Sequence, residues 1–334
     1  MKTILLSHGD GGQLTQELIE DVFRPLLKDP CLQGQSDSAI CAASAPYMAV
    51  STDTFVIQPL EFPGGDIGKL AVAGTVNDIA VCGAKPVYIT AGFVLEEGME
   101  CSLLRRLVES MARTAVEAGV RIIAGDTKVV ERGMCGGMII NTTGIGFMNK
   151  ADRLGFAAIR PGDRVIINGG IAEHAVAVLA ERAGLEFASP LLSDCRPLNG
   201  LIERLLERFP SIRFMRDPTR GGIATTLKEI AGSLADQDIW LEEERIPLEG
   251  SVRGALEMLG MDPLYMANEG KVLMIASAED SAELVQYLRS VPGNELASVI
   301  GTVKEGRGRL LLHTRIGGTR ELGKMSGAPL PRIC

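Results

Sequence analysis

Two α/β domains are predicted for this 334-residue chain. Short apolar strands alternate with helix-period segments along most of it, and the alternation relaxes once, over residues 149–162, before restarting after Arg160-Pro161-Gly162-Asp163. At about 150 residues per domain, the length accommodates two cores. Only 14 residues are aromatic although 46% are hydrophobic, which assigns those cores to Ala, Val, Ile, Leu and Met. The 39 glycines exceed the usual share of about 7% and forecast tight turns and close backbone approaches.

Taken in order, residues 3–6 form a short apolar run, followed by the loop His8-Gly9-Asp10-Gly11-Gly12 and a helix with Leu14, Leu18 and Val22 four apart. Residues 47–52 are a strand ending on Asp53. A second Gly-rich loop, 64–69, opens a helix over about 70–81, stopped by Gly83 and Pro86. Residues 87–95 are a strand. The clearest helix spans 101–118, with Leu104, Leu107, Val108, Met111, Ala115 and Ala118 on one face and Arg105, Glu109, Arg113 and Glu117 opposite. Gly119 ends it. Strands at 120–124, running into Gly125-Asp126-Thr127, and at 137–147 complete the first half. The second half predicts strands at 164–168, 212–215, 238–241 and 271–276, alternating with helices to about 183 and at 198–208, 222–235, 252–259 and 279–289. Domains are therefore expected over 1–155 and 156–314. Residues 315–334, rich in Gly and Pro, are expected to be a mobile tail ending Pro331-Arg332-Ile333-Cys334.

Several function classes are excluded at this level. With 34 basic and 42 acidic residues the net charge is -8, without the basic footprint of a nucleic-acid binder. No apolar run reaches the ~18 residues of a membrane span, and the N-terminus lacks a signal-peptide core, so a cytoplasmic protein is expected. The seven cysteines form no CxxC pair, and with three histidines neither a structural zinc site nor a disulfide framework is expected.

Three carboxylate sites interrupt apolar elements: Asp53, Asp126, and Asn77-Asp78 within an otherwise Ala/Val/Ile helix. Burying a bare carboxylate is costly, so each needs a partner. Caps and loop hydrogen bonds are one solution. With two Gly-rich loops nearby in sequence, the other is a divalent cation on nucleotide phosphates, for which oxygen ligands favour Mg²⁺. The Walker pattern is not met, because Pro63 and Leu70 occupy its first Gly and its Ser/Thr positions, and Gly9 to Gly12 is no GxGxxG fingerprint. The loops can still present amides to phosphate, with Lys69 adding a charge. Asp217-Pro218-Thr219-Arg220-Gly221-Gly222 brings a carboxylate, an arginine and two glycines to a helix N-terminus. Lys128 and the polar segment Asn268-Glu269-Gly270-Lys271 are either functional or solvated turn charges. Cys334, at the end of a Pro-stiffened tail, is either an arbitrary last residue or a thiol on a swinging carrier arm.

Collectively, Ser7 to Gly12, Ser51-Thr52-Asp53, Phe62 to Leu70, Asn77-Asp78, Gly125 to Lys128, Asp217 to Gly222, Asn268 to Lys271 and the terminal Pro-Arg-Ile-Cys resemble the HypE family of NiFe-hydrogenase maturation proteins. The terminal motif is the most specific. The acidic motifs are similar to those of a wider ATP-using superfamily that includes aminoimidazole ribonucleotide synthetase, selenophosphate synthetase and thiamine-monophosphate kinase. The resemblance implies a two-domain α/β (α+β) fold of the aminoimidazole ribonucleotide synthetase type, a homodimer in which N-terminal strands pair across subunits, and ATP near the domain junction. It further implies ATP-dependent dehydration of a carbamoyl group carried on Cys334, from thiocarboxamide to thiocyanate, as a source of cyanide ligands for iron. The implied partners are the carbamoyltransferase HypF and the HypC–HypD scaffold. By the same resemblance Lys128 and Glu269 handle protons, and Asp53, Asp78 and Asp126 hold Mg²⁺. Gly11, Gly12, Lys69, Asn77, Asp217, Gly221 and Gly222 contact the nucleotide. An ATP enzyme acting on a free small substrate, or a nucleotide-switched scaffold, are the competing readings.

Overall fold

A computed structural model describes residues 3–10, 12–33, 38–39, 41–151, 154–185, 187 and 191–324. Helix α1 (Gln13–Leu18) is continued by a wider helical turn and a further turn to Leu27. The first sheet contains β1 (Tyr47–Phe55), β2 (Lys85–Glu96), β3 (Arg121–Val130) and β4 (Met138–Met148), in spatial order β1-β4-β2-β3. Only the β2–β3 pair is parallel. Strands β1 and β3 are thus its two edges. Asp53 and Asp126 lie inside these edge strands and do not terminate them as their apolar flanks suggest.

Helix α2 (Ile67–Val81) decides how the rest is arranged. All of its residues except Lys69 and Asp78 are buried, and a helix with no polar face has to be enclosed. On one side it packs against β1 and β4, and on another against α3 (Cys101–Ala118), whose apolar face the sequence predicts. Gly68 makes the second contact possible: a Cβ there would stand 2.1 Å from the Leu107 carbonyl oxygen. That requirement for a close approach, and not a loop, explains the glycine, so the helix starts at Ile67, before the expected residue 70. Asp66 caps it, accepting the Lys69 N–H at 2.9 Å.

The second sheet holds β5 (Arg164–Ile167), β6 (Ile212–Arg216), β7 (Gln237–Glu242), β8 (Leu273–Ala276), β9 (Ser298–Glu305), β10 (Leu310–His313) and β11 (Thr319–Glu321). Their order is β11-β10-β7-β9-β5-β8-β6, antiparallel except for β10 on β7. Helices α4 (Glu173–Ala183), α5 (Asn199–Arg208), α6 (Gly222–Gly232), α7 (Gly250–Leu259) and α8 (Ser281–Arg289) accompany it. Two expectations change here. Residues 3–6 form an isolated bridge from Thr3 to Glu100 and lead into a 3₁₀ turn at Leu6–Gly9 instead of a strand. The segment expected to begin the tail at 315 instead adds β11 to the sheet, and Leu322 is buried with its N–H on the Leu310 carbonyl at 2.9 Å. Residues 325–334, including Cys334, lie outside the described residues.

The two domains meet along α2, which contacts both α5 and β6. Asn77 joins them by hydrogen bonds: its Oδ1 accepts the Leu198 N–H at 2.7 Å and its Nδ2 donates to the Arg196 carbonyl at 3.2 Å. Among the described residues no helix is long and apolar enough to cross a membrane. Replacing Asn77 by Ala strands the buried Leu198 N–H and is predicted to cost about 1–3 kcal/mol. Urea unfolding measures this, and an unchanged midpoint would contradict the bridging role.

Candidate active site

A polar cavity of about 300 Å³ opens between the domains, lined by Thr52, Asp53, Phe55, Gly74 and Asp78 from the first and by Arg216, Asp217, Thr219, Arg220, Thr225, Thr226, Glu229 and Glu269 from the second. Asp78 leaves the last turn of α2 toward it, held by the Ser51 hydroxyl at 2.7 Å. Asp53 reaches it from β1, with Arg220 at 3.6 Å. Arg216 pairs with Glu229 at 2.8 Å. Five carboxyl groups therefore face two guanidinium groups.

This imbalance shows in the acidities. Burial raises the Asp78 carboxyl above its ordinary value despite the Ser51 hydrogen bond, with Asp53 adding to the rise. Asp217 is pushed up to about 7, first by burial and then by Asp78. Glu269 is raised well above the usual range by burial and by Asp217, Asp194 and Asp53. Its Oε1 is buried without a hydrogen-bond partner.

The backbone around these groups is tightly fixed. Asn268 is fully buried; its Nδ2 donates to the Pro218 carbonyl at 2.9 Å and its Oδ1 accepts the Ala172 N–H at 2.8 Å, stitching segment 268–271 to segment 217–220. Gly221 and Gly222, both at positive φ, lead into α6; a Cβ on Gly222 would stand 2.5 Å from the Leu264 carbonyl oxygen. Behind Glu269, Asp194 accepts the N–H groups of Glu269 and Gly270 at 3.2 and 3.1 Å. Lys271, far from being a solvated turn charge, is buried between Glu173 at 2.7 Å and Asp194 at 3.3 Å. Burial alone would raise the Asp194 carboxyl, but Lys271 and His174 hold it below its ordinary value.

Other expected site residues lie elsewhere. Asp126 is on the opposite edge of the first sheet. The register runs Asp126, Gly92, Asn141, Thr54, three strand spacings or about 14 Å from the row of β1 that adjoins Asp53. Asp126 shares a cavity of about 480 Å³ with Thr15, Gln16, Gly125 and Thr127. Lys128 is exposed on the same strand, and Gly12 is the N-cap of α1, the helix that brings Thr15 and Gln16 to this cavity. Gly9 packs on this strand too, since a Cβ there would stand 2.6 Å from the Val129 nitrogen. Gly11 lies outside the described residues. Asn77 is not open to a ligand, because both its amide atoms are engaged between the domains. Lys69 turns away from the carboxylate cavity and donates to the Gly64 carbonyl at 2.9 Å. The expected acidic ligands are thus divided between the two edges of the sheet, with Asp53 and Asp78 beside one and Asp126 alone on the other. Their donor set is all oxygen, which suits Mg²⁺ better than softer ions. Among the described residues of one chain, no three acidic, histidine or cysteine side chains come close enough to hold a metal by themselves.

Two family descriptions cover most of the chain: "AIR synthase related protein, N-terminal domain" over residues 35–148 and "AIR synthase related protein, C-terminal domain" over residues 160–313. The carbamoyl dehydratase HypE of Azotobacter vinelandii is 44% identical over 333 residues, covering 99% of this chain and 97% of that protein. The chain belongs to the HypE family of carbamoyl dehydratases, which act in hydrogenase maturation. The crystal structure of a hydrogenase maturation protein HypE in complex with ATP matches with a TM-score of 0.94 at 43% identity, covering 99% of this chain and all of that one. The fold is accordingly the mixed two-domain architecture of HypE. A HypE in complex with HypF matches with a TM-score of 0.79 at 40% identity, over 92% of this chain and 99% of that one.

The acidity of Asp217 gives a pH test. A carboxyl whose pKa rises from 3.8 to about 7 on folding gives the fold more bound protons between those values, so its share of stability is present below pH ~4 and lost as pH rises through 7. The Asp217→Asn variant lacks this loss. Its stability relative to the parent is predicted to increase by on the order of 2–4 kcal/mol between pH 5 and 8. Thermal unfolding at the two pH values measures the change, and a constant difference would contradict the burial.

Proposed function

We propose that the protein uses ATP to dehydrate a carbamoyl group attached to the sulfur of its own Cys334, converting a thiocarboxamide to a thiocyanate. The observation that supports this most is the cavity holding Asp53, Asp78, Asp217 and Glu269 in a chain of the HypE family. Hydroxide leaves an amide-like carbon poorly. ATP supplies the phosphoryl group that turns the carbamoyl oxygen into a leaving group. Two nitrogen protons must then be removed. Glu269 suits one of these transfers, because a buried carboxylate with an unpartnered oxygen binds a proton tightly. Lys128 is assigned the other.

The carboxylate cavity and Asp126 become one site if β1 of one protomer pairs with the partner subunit's β3. Both are edge strands, nine and ten residues long, and long bare edges tend to be covered. Apolar side chains Tyr47, Met48 and Val50 are exposed on β1. Such pairing sets Asp53, Asp78, Asp217 and Glu269 of one protomer opposite the partner subunit's Asp126 and Lys128. Asp53, Asp78 and the partner subunit's Asp126 would then hold Mg²⁺, which neutralises phosphate charge. The amide of Gly12 and the α6 N-terminus after Gly221 and Gly222 would present N–H groups toward phosphate, and Gly11 is assigned the same role by the family resemblance alone. Asn77 and Lys69 act by fixing backbone, not by touching the nucleotide. A HypF-type carbamoyltransferase loads Cys334, and a HypC–HypD iron complex receives the cyano group.

Mass spectrometry tests the reading. After incubation with carbamoyltransferase, carbamoyl phosphate and ATP, the protein is predicted to gain one carbamoyl group and then lose one water. Asp78→Asn is predicted to accept the carbamoyl group but to lose water at least ~100-fold more slowly, a loss of at least ~2.7 kcal/mol of barrier lowering. The same two mass changes in Cys334→Ala would refute the proposal, and turnover of a free substrate by that variant would favour a synthetase or kinase.

A further inference from the structure

The sulfurs of Cys31 and Cys41 are 3.8 Å apart, and both residues are half-buried. The sheet beneath them fixes this spacing. Asp29, two residues before Cys31, is gripped by the Arg121 guanidinium through hydrogen bonds of 2.7 and 3.0 Å, and its Oδ1 accepts the Cys31 N–H at 2.9 Å. Ala42, next to Cys41, accepts the Tyr88 hydroxyl at 3.2 Å. Tyr88 and Arg121 are register partners on β2 and β3, and the guanidinium carbon stands 5.6 Å from the ring centre. The backbone beside each cysteine is therefore tied to one adjacent pair of sheet residues, which keeps the thiols together.

We propose that Cys31 and Cys41 form a reversible dithiol–disulfide site that exchanges with a small disulfide of the glutathione class. One cysteine thiolate attacks a sulfur of glutathione disulfide, forming a mixed disulfide and releasing one glutathione thiol. The second thiolate attacks the protein sulfur of that bond and releases the other. The protein loses two electrons and two protons, and glutathione disulfide gains them as two thiols. A disulfide spans about 2.05 Å, so the sulfurs need to close by less than about 2 Å. Lost solvation raises the Cys31 thiol above its ordinary value, with the Cys41 thiol and Asp29 adding to the rise, while the Arg121 guanidinium stands 3.8 Å from the Cys31 sulfur, where it can face the thiolate. Cys31 also lines the cavity that contains Asp126, which places the proposed bond on the wall of that half-site.

The test uses the full chain in glutathione buffers carried to the ratio at which the exposed Cys82 becomes glutathionylated, followed by alkylation and trypsin digestion. Cys31 and Cys41 fall on one tryptic peptide, residues 29–69, with no other cysteine. In oxidising buffer this peptide is expected to be lighter by two hydrogens, to take no alkyl group, and to recover both thiols on reduction. Cys31→Ser and Cys41→Ser are each expected to carry one glutathione on the remaining cysteine instead. A parent peptide bearing two alkyl groups or two glutathiones would overturn the proposal.

Discussion

Burial of α2 on every side, with only Lys69 and Asp78 reaching solvent, is the constraint on which the structure depends. Its apolar circumference requires material on every side, and the first sheet supplies only one. The rest comes from α3 and from the second domain, so enclosing this helix also fixes how the domains are joined. Its two consecutive polar residues then face different tasks. Asn77 satisfies backbone groups of 196–198, and Asp78 enters the cavity that the same junction creates.

That cavity carries more negative charge than its arginines balance. Carboxyl pKa values raised above their ordinary range are the physical consequence, and the same excess of negative charge favours a positively charged ligand. Asp194 and Lys271 have the opposite role. They form a buried, nearly neutralised pair that spends its hydrogen bonds on the backbone of Glu269 and Gly270. The backbone of Glu269, whose carboxyl burial disfavours as an anion, is thus held by a second carboxylate that is fully partnered.

Much of this was legible in the sequence because it is periodic or punctuated. The α3 face and the strand cores follow from spacing of three, four or two residues; Asp53 and Asp78 stand out as breaks in apolar runs and Asp217 as a charge before a helix, whereas Glu269 is assigned its role only by the family resemblance. Glycine misled where it serves packing: Gly68 has the look of a loop residue yet lies in a helix, pressed on Leu107. Glu173 and Asp194 gave no local signal, since Lys271 meets them only through contacts 98 and 77 residues apart. Strands β9 and β10 were missed because the charged stretch from Lys304 to Arg309 hides their alternation. The separation of Asp126 from Asp53 is a property of strand order, β1-β4-β2-β3, which no motif encodes.

Edge pairing between protomers is proposed to complete the active site, with Asp53 from one and Asp126 from the other. A heterodimer isolated with two affinity tags, one subunit carrying Asp53→Asn and the other Asp126→Asn, tests it most directly. If sites are shared, one of its two sites contains both substitutions and the other contains neither. Dehydration should then return to about half the parent activity per dimer although each homodimeric variant is inactive. A heterodimer no more active than the two variants would contradict the shared site.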